Sequence, residues 1–212
     1  MLSLNELFKF VIQTSAFYKI DESHALKHSM DVYHFGNKIF NEEIKTNPTL
    51  KNNKIIIDTC CILHDMCDKK YMNESDGLKN INNFLLDKIE EPKIKVINDI
   101  ISKMSYSKVK KEGFPDLKEY NELYHIVRQA DILAAYDVDR AIMYSMIVDN
   151  KTYKKALEDT FILFINRVLK HIYDDTFYHK SALELGKKLH DESILKLELL
   201  QNNNNEYYKD DL

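Results

Sequence analysis

The chain has 212 residues, 44% of them hydrophobic and 30% charged, a globular balance that excludes a disordered chain and allows one sizeable core. Its 34 acids and 30 bases leave a net charge of −4 with the signs intermixed, which excludes an extended electropositive face for duplex nucleic acid or an anionic membrane. Only four Gly and three Pro interrupt it, so the expected fold class is all-α, a single-domain helical bundle over residues 1–200.

Apolar positions at Leu4, Leu7, Phe8, Val11 and Ile12 recur every three or four residues and predict a first helix over 2–20. A second is expected from Ser23 to Glu43, with the Ser23 hydroxyl as its cap and Asp21 and Glu22 beside the positive end of its dipole. Pro48 suits the first turn of a third helix, which continues through Ile55, Ile56, Ile57, Cys60, Cys61, Ile62 and Leu63. That helix is apolar nearly all round, which makes it central. Further helices are expected over about 76–90, 93–105, 118–149, 153–172 and 177–202, with breaks at Pro92, at the turn from Gly113 to Pro115 and at Asp149-Asn150, while periodicity does not decide whether 118–149 kinks near Asp137. The motifs with chemical potential fall in 20–140, the C-terminal helices in 150–200, and 201–212 is a polar low-complexity tail that need not be ordered.

Cys60, Cys61 and Cys67 lack the spacing of a zinc knuckle and lie in apolar sequence, the pattern of buried free thiols in a reducing compartment. No basic region followed by an apolar leader opens the chain, and charge breaks every later apolar run short of a membrane span. A cytoplasmic or nucleocytoplasmic protein is expected.

His64-Asp65 ends the most apolar helix, where an imidazole and a carboxylate are expensive to bury without a compensating partner such as a metal ion. A His-Asp pair arises about once by chance in a chain with eight His, and His190-Asp191 is such a pair. It sits among Lys, Glu and Ser and reads as a solvated face. Only the first pair has an apolar run upstream and a polar, phosphate-suited run downstream, Met66 to Tyr71. His24 and His28, four apart, share a helix face, so one of them can reach inward to a metal; either alone also fits a half-buried helix residue. Asp131, set between Ala130 and Ile132, is an acid among small and apolar residues that needs a cation, either a metal or Arg128.

Imidazole and carboxylate donors together suit one divalent transition ion, Mn first with Fe, Co, Ni or Zn behind it, better than Mg. Such an ion can lower the pKa of a bound water and polarise a phosphoryl oxygen. The candidate cationic clamps for a phosphate are Lys69, Lys70, Lys103, Lys108 and Arg128, with Lys69 and Lys103 foremost, although each lysine alone also reads as a solvated side chain. Asp68 can orient an attacking water or hold Lys69.

The order of these motifs resembles the HD-domain metal-dependent phosphohydrolase superfamily, whose pattern is a His, a His-Asp pair and a distant Asp. The matching residues are His28, His64-Asp65 and Asp131. Ser23-His24-Ala25-Leu26-Lys27-His28 looks like the family's opening motif, and Ile101 to Lys108 is similar to a recurrent segment ahead of the last Asp. The resemblance spans about residues 20–140. It implies an all-α bundle, the metal ligands His28, His64, Asp65 and Asp131, a phosphate side that includes His24, and a nucleotide or other small phosphoester as substrate, hydrolysed by a metal-activated water. Related bacterial nucleotide hydrolases commonly carry an Arg directly after the last Asp and an acid two residues later, where this chain has Ile132 and Ala134. A non-catalytic metal-binding regulatory module is the alternative. A di-iron oxygenase is a further one, which needs extra His ligands in an interval where this chain offers only His125.

Overall fold

The computed structural model describes residues 2–207, the last five as backbone. Among them there are α-helices, short 3₁₀ segments and no strand, so the all-α expectation holds. The helices are α1 (Leu4–Tyr18), α2 (Leu26–Glu43), α3 (Lys54–Leu63), α4 (Glu74–Leu85), α5 (Glu91–Lys103), α6 (Tyr106–Glu112), α7 (Asn121–Ala134), α8 (Val138–Ile147), α9 (Tyr153–Asn166) and α10 (Lys180–Tyr207). The chain divides into two compact units, Met1–Asp131 and Ile132–Leu212. None of the described helices is long and apolar enough to cross a membrane.

Boundaries moved from expectation where side chains compete for backbone groups. α1 opens on a capping box in which Ser3 Oγ accepts from the Glu6 amide while the Glu6 carboxylate accepts from the Ser3 amide. Ser23, by contrast, does not cap α2. Its amide donates to Asp21 Oδ1 at 2.9 Å and its hydroxyl lies 2.7 Å from His24 Nδ1, so residues 21–25 form a turn and the helix starts at Leu26. Pro48 opens a 3₁₀ segment, Pro48–Asn53, that leads into α3. The stretch read as one helix over 118–149 is broken. Three backbone bonds of the i to i−3 type tighten residues 135–137, and the Asp137 carboxylate then accepts from the Arg140 amide to cap α8. The short α6, capped by Ser105 and ended by Gly113 at φ 77°, was not anticipated. α10 runs beyond the expected end, so the polar tail is helical as far as Tyr207, and the rest of it lies outside the described residues.

In the first unit α3 is the centre, with Ile56, Ile57, Cys60, Cys61, Ile62 and Leu63 all buried and α1, α2 and α5 packed on it. Each such aliphatic side chain contributes about 1.5–3 kcal/mol by leaving water. Two glycines set the closeness of the packing. A Cβ on Gly36 of α2 would fall 2.6 Å from Cys61 Sγ, and one on Gly77 of α4 would fall 2.5 Å from Cys67 Cα, just after the His64-Asp65 pair. The three thiols are free and buried, as expected.

The second unit has its own core, in which Tyr136, Val138, Ile142, Leu157, Phe164 and Leu197 are buried. Ser193 of α10 donates to the Tyr136 carbonyl at 2.9 Å.

Candidate metal centre

The buried stripe of α2 is His28, Ser29, Val32, Gly36, Ile39 and Phe40, so His28 is the N-terminal end of a core-facing row and is carried inward by the same periodicity that buries Val32. His64 stands at the C-terminal end of α3 with Asp65 directly after it, and Asp131 lies on α7 among buried neighbours. α2 and the end of α3 thus bring His28, His64 and Asp65 into one metal-capable cluster, and α7 sets Asp131 beside its two imidazoles.

His28 Nε2 lies 3.1 Å from His64 Nε2, 3.2 Å from Asp65 Oδ2 and 3.3 Å from Asp131 Oδ1. His64 Nε2 lies 3.4 Å from Asp65 Oδ2 and 3.6 Å from Asp131 Oδ1. Donors about 2.0–2.2 Å from a common ion, separated by octahedral or tetrahedral angles, stand about 2.8–3.6 Å apart, and the spacings of the two imidazoles to each other and to each carboxylate fall in that interval, while Asp131 stands outside the tighter cluster of His28, His64 and Asp65. Asp65 Oδ2 is buried and makes no hydrogen bond among the described residues, although both imidazoles are close to it. A carboxylate oxygen in that situation is costly unless a cation lies in the space it shares with the two nitrogens. The residues therefore fit a divalent ion.

The tautomer of His64 agrees. Its Nδ1 donates to the Cys61 carbonyl at 3.0 Å, which leaves Nε2 with a lone pair directed at the shared point. Burial by itself would push the His64 imidazole down, but Asp65 and Asp131 hold it well above the ordinary value. Burial likewise opposes charge on both carboxyls, yet His64 and His28 keep Asp65 and Asp131 well below the carboxylate range. Two carboxylates partly withdrawn from water and facing each imidazole demand positive charge, and a metal would supply it in place of a proton. The side chain of His28 is 1% exposed and that of Asp131 32%, so the centre is sealed behind the imidazoles and open on the carboxylate side.

The phosphate-side candidates divide. His24 is buried with its ring edge-on to that of His28, centroids 6.2 Å apart, and its Nε2 is 3.0 Å from Lys70 Nζ. Asp68 accepts from the Lys70 amide at 2.9 Å, and its Oδ2 is 3.7 Å from Lys70 Nζ. Lys69 is exposed. Lys103 is paired with Asp99 at 2.9 Å, and Lys108 with Glu74 at 2.6 Å and the Ser102 carbonyl at 2.7 Å, so both already have acceptors. Arg128 is buried, its guanidinium carbon 5.1 Å from the Phe114 ring centre, and burial lowers its pKa against the pull of Tyr124 and Asp131. His125 packs edge-on against Phe114 and Tyr124.

Sequence reasoning missed the parts of Asp21 and Tyr71. The Tyr71 hydroxyl donates to the Asp21 carboxylate and lies 3.1 Å from His24 Nδ1. Burial would raise the Asp21 pKa, but the Ser23 and Tyr71 donors hold it below the ordinary value. An acid three residues ahead of a candidate site His was the available signal, and it had been assigned to the helix dipole. The reading of His190-Asp191 as a wholly solvated pair is corrected. His190 is buried, edge-on to Tyr173, with Nδ1 3.1 Å from Asp191 Oδ1, and only Asp191 reaches solvent. An otherwise polar helix still turns one face inward, and position 190 is on it. Neither residue belongs to a metal-capable cluster among the described residues, whereas His28, His64 and Asp65 do.

No protein-family model, no curated protein and no solved structure matches this chain.

Proposed function

We propose that this chain is a metal-dependent phosphohydrolase of the HD-domain kind, acting on a nucleotide or another small phosphoester or phosphoanhydride. The observation that carries the reading is that the Nε2 atoms of His28 and His64, 3.1 Å apart, each stand within 3.6 Å of a carboxylate oxygen of Asp65 and of one of Asp131, with the imidazoles buried and Asp131 partly exposed. His28, His64, Asp65 and Asp131 would hold the ion, and a donor set of two nitrogens and two oxygens favours Mn, Fe, Co, Ni or Zn over Mg. When bound, such an ion lowers the pKa of a water and polarises a phosphoryl oxygen.

The remaining work belongs to the protein. The partly exposed Asp131 marks the side on which a substrate would reach the ion, and four protein donors would leave room for a water and a phosphate oxygen. Asp68, anchored by the Lys70 amide, is within reach of the lysine that meets the phosphoryl charge, so it restrains that lysine. Lys70 has its cation on the His24 side of the centre and is the phosphate contact best supported by its surroundings. His125 is occupied in aromatic packing, which favours a single ion over the dinuclear alternative. The decisive experiment is a panel of nucleoside mono-, di- and triphosphates with Mn, Co, Ni and Mg, scoring phosphate and pyrophosphate release separately. Metal-dependent release from any member is the expected result, and metal binding without turnover on the whole panel would favour a regulatory module.

A further inference from the structure

Beside the metal ligands runs a directional chain of hydrogen bonds. An ammonium group can only donate, so the 3.0 Å contact between Lys70 Nζ and His24 makes His24 Nε2 an acceptor and puts the imidazole proton on Nδ1. That nitrogen faces Ser23 Oγ at 2.7 Å and Tyr71 Oη at 3.1 Å. The Tyr71 hydroxyl donates onward to Asp21, whose other oxygen takes the Ser23 amide at 2.9 Å. The proton positions therefore all follow from the two charged ends, Lys70 and Asp21.

We propose that His24 is a positioning residue whose ring, set between Lys70 and the Asp21–Tyr71 anchor, aims the Lys70 ammonium at a phosphate held on the open side of the metal centre. The inference rests on the phosphohydrolase reading and says how its cationic contact is built. A free lysine side chain carries several rotatable bonds, and fixing it on binding costs entropy that a prior restraint removes. His24 is suited to be that restraint: it is buried in the turn that leads into α2, its ring lies edge-on to that of His28 four residues later, and it reaches a lysine 46 positions away. Lys70 remains 47% exposed at the side chain, so its ammonium can still meet a ligand. Lys103 and Lys108, held by carboxylates elsewhere, have no such link to the centre.

The test uses the full chain and two calorimetric titrations, Mn²⁺ alone and then inorganic phosphate into the Mn-loaded protein. Lys70→Ala should weaken phosphate by about tenfold or more, the loss of one charge-assisted contact. His24→Leu should weaken it comparably, and the double variant should be within about twofold of the weaker single one, because the two residues act as a unit. His24→Gln, whose amide oxygen can accept from Lys70, should recover most of the affinity. Mn²⁺ affinity and urea midpoints should change little across the set, which separates positioning from a structural role. Unchanged phosphate affinity in His24→Leu, multiplicative losses in the double variant, or no recovery with Gln would each overturn the proposal. Phosphate binding that is intact in Lys70→Ala would overturn it and leave the hydrolase reading standing. Failure of the unmodified Mn-loaded protein to bind phosphate at all would overturn both.

Discussion

The two His-Asp pairs lie in different units and make a controlled comparison. His64 and His190 are both buried, and both place Nδ1 about a hydrogen bond from an oxygen, Cys61 carbonyl in one case and Asp191 carboxylate in the other. Burial and local bonding therefore do not distinguish a candidate ligand from a packing residue. Distance along the chain does. His64 Nε2 meets His28, 36 positions earlier, and Asp131 on a third helix, while His190 is paired with its own neighbour, whose side chain is 81% exposed. A metal centre is recognised by what distant segments bring to one point.

The comparison breaks most visibly on metal affinity. His64→Ala and Asp65→Ala should each lower Mn²⁺ affinity by well over about 100-fold, since even the loss of an outer-shell partner costs 10–100-fold. His190→Ala should leave that affinity unchanged. Elemental analysis of chain reloaded with Mn or Co should return one ion in the unmodified protein, and two tightly bound ions without substrate would revive a dinuclear site. An equal loss of metal from both pairs would erase the distinction drawn above.

A smaller effect is expected from the support of the first pair. Gly36→Ala places a methyl against Cys61 Sγ and should cost about 1–3 kcal/mol by overpacking, read from urea unfolding, with Mn²⁺ affinity falling alongside. His190→Ala should cost on the order of 1 kcal/mol, because it removes a buried ring packed on Tyr173, without touching the metal. Asp191→Ala should stay within about 0.5 kcal/mol of the parent.

The smallest expected effect is pH-dependent and belongs to the turn that leads into α2. The folded state depresses the Asp21 pKa, so its carboxylate contributes stability above the ordinary value of 3.8, and that contribution fades as the pH falls through the lower folded value. Asp21→Asn should therefore be less stable than the parent at neutral pH and converge with it at strongly acidic pH. A gap that persists unchanged into acid would show that Asp21 acts through shape and not charge.

Much of this was legible in the sequence, and the misses have a common cause. Helix α3 was readable because Ile55 to Leu63 is apolar nearly all round, and the donor types of the site because an imidazole and two acids interrupt apolar runs. Ser23 was misread because its hydroxyl and amide are claimed by His24 and Asp21, a contest that helix signals do not encode. The break at Asp137 was left open because apolar periodicity continues across it. The choice between Lys69 and Lys70 depends on contact with His24, a tertiary fact invisible to spacing. His190 was misjudged because composition reports the average of a helix and not the face on which one residue lies.

The close seat of Gly36 on Cys61 also makes the chain its own reporter. Burial, with Asp58 adding to it, pushes the Cys61 thiol far above its ordinary pKa, so it is neither accessible nor reactive while α2 and α3 stay together. An alkylating reagent gains access when those helices part, and the same parting draws His28 away from His64. The labelling rate of Cys61, followed by peptide mapping to separate it from Cys60 and Cys67, is thus a clock for the opening of the candidate metal centre that needs no substrate and no added dye.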